Sequence, residues 1–150
     1  MINNLTTRFP APVTASLTEF DAVFAGLGIV LPQDFHDFYF IHQGMTPVEC
    51  ITGDEKLWCF LPVKVPAGWE IPTVADDAIM VRDMLDGISF EWLPFAVDPG
   101  GNYTCIKLNE PNAGSVYFLD HHFLGLDDAL SFICSTFEEY INGLVPQVIT

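Results

Sequence analysis

The chain has 150 residues, half of them apolar, and carries twenty acidic side chains against five basic ones for a formal net charge of −15. That length suits one ordinary domain, residues 1–150, with a sizeable core. Nucleic acid and anionic membranes are excluded as partners, because holding phosphates needs clustered Lys and Arg, whereas Arg8, Lys56, Lys64, Arg82 and Lys107 are scattered.

The opening residues MINNLTTRFP lack the basic start and continuous apolar stretch of a secretory signal. No run approaches the roughly 20 apolar residues that span a bilayer, so the expected location is the cytoplasm. Ser16 and Glu19 form a Ser-x-x-Glu capping box for a helix over 17–27, where Leu17, Phe20, Val23, Phe24 and Leu27 recur at helical spacing and Gly28 ends it. A second helix begins at Pro32 or Gln33, puts Phe35, Phe38, Tyr39 and His42 on one side, and stops at Gly44. Residues 57–65 read as a strand element interrupted by Pro62. Pro66, Gly68 and Pro72 then make a loop that Trp69 is expected to pin against the body of the protein.

The segment DDAIMVRDMLD at 76–86 is the expected partner-binding region, and its period decides the matter. In a helix, Ala78, Val81, Met84 and Leu85 face inward, while Asp76, Asp83 and Asp86 surround Ile79 and Met80 on the other side. Apolar residues ringed by carboxylates have the form of an interface core and rim. The partner-binding candidates are therefore Asp76, Asp77, Ile79, Met80, Asp83 and Asp86. The plainer alternative is a solvated helix face with two incidental apolar residues, and a strand through 78–81 breaks the pattern.

Residues 92–108, WLPFAVDPGGNYTCIKL, alternate with a period of two on either side of Asp98-Pro99-Gly100-Gly101-Asn102, which supplies the fixed and positive φ values of a chain reversal. This predicts a hairpin. A Gly-x-Val-Tyr strand follows at Gly114, and a last helix is expected over 127–142, with Leu130, Ile133, Phe137, Ile141 and Leu144 on one stripe. The fold class is α+β, a mostly antiparallel central sheet with helices at the N- and C-termini.

Three pieces occur in an order that resembles the SMI1/KNR4 family, also called the SUKH superfamily. They are Leu31-Pro32 with Phe35, Phe38, Tyr39 and Gly44; Pro94-Phe95-Ala96 with Asp98, Gly100, Gly101 and Asn102; and Gly114, Val116, Tyr117 and His121 leading to Phe132, Phe137 and Leu144. Where members often carry His-Glu after the last strand, this chain has His121 and His122. Residues 51–91 match no family pattern and are expected to vary with the partner. The resemblance implies an immunity protein that neutralises a cognate bacterial toxin, often a nuclease, by direct binding. It also leaves open a regulatory module like the fungal members linked to cell-wall glucan synthesis, although those chains carry long extra segments.

Chemistry-bearing motifs are sparse. Cys50, Cys59, Cys105 and Cys134 are widely spaced, without the C-x-x-C pairs of zinc or redox sites, and read as reduced core residues. His36 and His42 lie six apart and do not share a helical face, while His121 and His122 are adjacent, so their side chains are expected to diverge. A metal assembled from one of these and Asp120 is the weaker alternative. The Gly-Gly turn lacks the Lys-Ser/Thr of a phosphate loop, and no serine sits in a Gly-x-Ser-x-Gly elbow. No enzyme activity, cofactor or metal is expected. The expected partner is a basic protein, since complementary charge raises association rates by about one to three orders of magnitude. If charge reversal at 76, 83 and 86 leaves binding unchanged, the site is expected near Asp54 and Glu55 or around Asp120.

Overall fold

A computed structural model describes residues 4–85, 87–123 and 129–147. The α+β architecture and the mainly antiparallel sheet expected from the sequence are both present. Helix α1 is Leu17–Leu27, α2 is Gln33–His42, α3 is Val74–Leu85 and α4 is Phe137–Asn142. Strand β1 (Thr7–Phe9) pairs with β2 (Thr46–Pro47). A three-stranded sheet joins β3 (Glu49–Thr52) to β4 (Glu55–Lys56) on one side and to β10 (Val145–Pro146) on the other. The largest sheet is an antiparallel meander of β5 (Cys59–Phe60), β6 (Trp92–Val97), β7 (Tyr103–Lys107), β8 (Val116–Leu119) and β9 (Leu130–Cys134).

Local signals explain the first helix. The Ser16 hydroxyl accepts from the Glu19 amide at 3.2 Å, the Glu19 carboxylate accepts from the Ser16 amide at 3.1 Å, and Gly28 ends the helix at φ +71°. Substituting Ser16→Ala is expected to lower stability by about 1 kcal/mol in urea unfolding, with the m-value unchanged. The hairpin also forms as its turn residues require. Asp98 Oδ1 accepts from the Gly100 and Asn102 amides, each at 2.8 Å, and Gly101 takes φ +88°.

Strand β6 carries the core. Leu93, Pro94, Phe95 and Ala96 are all buried, so the strand is covered on both faces. On one face Phe95 meets Phe35, Phe137 and Tyr140 at ring distances of 5.3, 5.6 and 5.8 Å, tying α2 and α4 to the sheet. On the other, Tyr103 of β7 reaches Asp77 of α3. The Tyr39 hydroxyl donates to the Leu61 carbonyl at 2.7 Å, and Phe20 and Phe24 pack on the Tyr39 ring from α1.

Four sequence expectations are corrected. The helix expected over 127–142 is the strand β9 followed by the shorter α4; Leu130, Ser131, Phe132 and Cys134 pair with β8, which outweighs their helical spacing. Asp127 and Asp128 lie outside the described residues. The element at 57–65 contributes only β5 to the sheet. Met84, expected inward, is 47 % exposed. Trp69, expected to pin its loop against the body, is only half buried and lines an open groove with Trp58, Pro62 and Ile71.

Candidate functional site

The segment at 74–85 is helical, and the face predicted from its period is the one turned outward. Ile79, Met80 and Met84 are exposed between Asp76 and Asp83, while Val74, Ala78 and Val81 are buried against the sheet. Thr73 opens the helix: its hydroxyl accepts from the Asp76 amide at 3.3 Å, and Asp76 Oδ2 accepts from the Thr73 amide and hydroxyl at 3.1 Å. The Asp76 carboxylate is thus engaged in the cap. Asp83 accepts from Arg82 at 3.0 Å, and the Arg82 guanidinium lies 4.7 Å from the centre of the Phe90 ring. Asp86 lies outside the described residues.

Asp77 points the other way. It is 6 % exposed, accepts a hydrogen bond from the Tyr103 hydroxyl, and burial with the nearby Asp76 charge pushes its carboxyl up to about 6. Its carboxylate is therefore enclosed between helix and sheet, while the other described acids of the segment border the exposed strip.

A second polar region gathers where the β6–β7 turn meets the chain after β8. Asp98 Oδ2 accepts from the Asn102 side-chain amide at 3.1 Å, and Asn102 Oδ1 accepts from the His121 amide at 3.1 Å and from His121 Nδ1 at 2.6 Å. His121 begins a single 3-10 turn, His121–Phe123. Asp120 Oδ1 accepts from the His122 amide at 3.0 Å and faces His122 Nδ1 at 3.2 Å. The two imidazoles, expected to diverge, lie with centroids 4.0 Å apart and planes tilted by 37°. Partial burial, with the charges of Asp98, Asp54 and Asp120, holds the Glu55 carboxyl above its usual range. Four carboxylates from three separate stretches thus converge, and among the described residues no Lys or Arg pairs with any of them.

The remaining histidines are structurally engaged. His36 bridges Asp21 and Asp37 at 2.7 and 2.9 Å, and these hydrogen bonds raise its pKa. His42 is buried, stacked on Phe38 at 4.0 Å, and donates from Nδ1 to the Phe38 carbonyl; burial lowers its pKa. All four cysteines are free thiols, with Cys50 and Cys105 buried. Asn102 was not singled out as a site residue from the sequence, although the Asx-type turn at Asp98 was a usable signal for it; Glu55 was named only with Asp54, as the alternative surface for a partner.

The family model for SMI1 / KNR4 (SUKH-1) matches residues 14–143. The chain belongs to that family. The SMI1/KNR4 match takes in all four helices and the whole five-stranded sheet, leaving β1 and β10 outside. No curated protein matches the chain. Two of the three stretches that carried the family resemblance, the Pro-Phe-Ala…Gly-Gly-Asn hairpin and the segment after Val-Tyr, meet in space through the Asn102–His121 hydrogen bonds. No helix among the described residues is long and apolar enough to cross a membrane.

Proposed function

We propose that the protein is a cytoplasmic, non-enzymatic binding domain that acts as an immunity protein, neutralising a cognate toxin by occluding it. SUKH domains are generally of the immunity type and not catalytic. The observation that carries the reading for this chain is the outward strip of Ile79, Met80 and Met84 bordered by Asp76 and Asp83, on a molecule of net charge −15. Such a strip supplies the desolvated apolar contacts of an interface centre, and the surrounding charge attracts a basic partner. Nuclease toxins are commonly basic because they hold a phosphate backbone, so the acidic inhibitor is complementary to them.

The test is co-purification from native cells at low and then high salt, followed by expression of the recovered basic domain alone and with this protein in a survival assay. Killing by the domain alone and rescue by co-expression are expected. Recovery without rescue, or no basic partner at low salt, overturns the reading.

The α3 strip is tested on the same complex. Asp83→Lys combined with Met80→Ala is expected to raise Kd by about 10- to 100-fold and to flatten its salt dependence, measured by titration calorimetry. Asp76 is spared because its carboxylate caps the helix. Unchanged affinity in this variant, with loss on Asp54→Lys and Glu55→Lys, places the partner at the turn between β3 and β4 instead.

A further inference from the structure

We propose that Asp120, His121 and His122 form a binding site for a borderline divalent cation of the zinc class. One ligand atom from each of the three residues lies within 4.8 Å of the other two, a grouping compact enough for small side-chain rotations to close it around one ion. The site is independent of the α3 strip and does not rest on the immunity reading.

The tautomers are favourable. The Asn102 oxygen accepts from the His121 backbone amide, which can only donate, so the same oxygen must accept from Nδ1 as well. His121 Nδ1 therefore carries the proton, and Nε2 keeps its lone pair. His122 Nδ1 lies 3.2 Å from Asp120 Oδ1, a separation that suits two ligand atoms on one ion, so the neutral tautomer with its proton on Nε2 presents Nδ1 beside the carboxylate. The Asn102 carboxamide, held by Asp98, accepts from Nδ1 as the carboxylates and carbonyls of metal outer shells do and so orients the His121 ring. Gly101 at φ +88° brings the turn close to the His121 ring, since a Cβ there would meet Cε1 at 3.6 Å.

The surroundings favour a cation. Asp98 anchors the Asn102 carboxamide beside His121, so a further carboxylate stands behind the cluster, and among the described residues no Lys or Arg forms an ion pair with Asp98 or Asp120. Two imidazole nitrogens and one carboxylate oxygen suit Zn²⁺, Co²⁺ or Ni²⁺ over Mg²⁺ or Ca²⁺, which prefer all-oxygen sets. The three ligands come from consecutive residues, with Asp120 and His121 partly buried and His122 exposed, so they supply three of the four positions of a tetrahedral ion.

The test is calorimetric titration of Zn²⁺ into the full chain after dialysis against a chelator, alongside the change in Tm. One equivalent per chain and a higher Tm are expected. His121→Ala and His122→Ala should each weaken binding by at least about tenfold, and Asn102→Ala by about 10- to 100-fold through loss of orientation. His36→Ala should bind as the parent does, and circular dichroism confirms that each variant folds. Absence of saturable binding, or binding unchanged in both folded variants at positions 121 and 122, overturns the proposal.

Discussion

Replacing Phe95 by alanine is expected to lower the unfolding free energy by about 3–5 kcal/mol. Phe95 is fully buried, and its ring touches Phe35, Phe60, Phe137 and Tyr140, so the truncation removes contacts to α2, β5 and α4 together. These neighbours sit on three different segments whose backbones are held by their own hydrogen bonds, which limits how far they can close on the void. A domain of ordinary stability has only about 5–15 kcal/mol in total, so the variant should unfold at much lower denaturant and sit close to the folding threshold at 37 °C. Urea unfolding followed by tryptophan fluorescence measures this. A loss below about 1.5 kcal/mol would mean that the aromatic cluster collapses freely and does not fix the positions of α2 and α4.

The second large effect concerns pH. Burial raises the Asp77 carboxyl from 3.8 to about 6, so the folded protein binds this proton more tightly than the unfolded chain does. The group therefore favours folding most below about pH 4, and its contribution falls as pH rises through about 6. The shift corresponds to about 3 kcal/mol between those limits. Asp77→Asn removes the titration while keeping an oxygen to accept from Tyr103. The stability difference, variant minus parent, should thus move in the variant's favour by about 3 kcal/mol from pH 4 to pH 7. Glu19 and Asp37, whose pKa values are lowered, act in the opposite sense in both proteins and cancel in the difference. A difference that stays flat across that range would show that water reaches Asp77 and that α3 does not seal against β7. The outward strip of α3 depends on that seal, because the burial of Asp77, Ala78 and Val81 is what turns Ile79 and Met80 to solvent.

Much of the scaffold was legible because its signals are local. The Ser16–Glu19 box, the stop at Gly28 and the Asp98–Asn102 turn are each completed within a few residues, so sequence neighbours settle their conformation. The same holds for α3 as an amphipathic helix, whose period separates Ala78 and Val81 from Ile79 and Met80 wherever the helix docks. Residues 130–134 were misread for the opposite reason. Their spacing fits a helical stripe, and only a free edge on β8 makes a strand the better solution.

The sequence alone determined the family, the sign of the charge, the central hairpin and the outward identity of Ile79, Met80, Asp76 and Asp83. Tertiary structure alone decided what surrounds each ionisable group. Asp76 and Asp77 are chain neighbours, yet one caps a helix in solvent and the other is enclosed under Tyr103, because a helix turns by about 100° per residue and the sheet covers one side only. Glu55, Asp98 and Asp120 are far apart in sequence and share one electric field, because the antiparallel meander returns the turns carrying Asp98 and Asp120 to the same end and the three-stranded sheet brings Glu55 of β4 near them. Local pattern fixes a side chain's direction relative to its own element. Its environment depends on which elements dock together, and that is set by long-range packing.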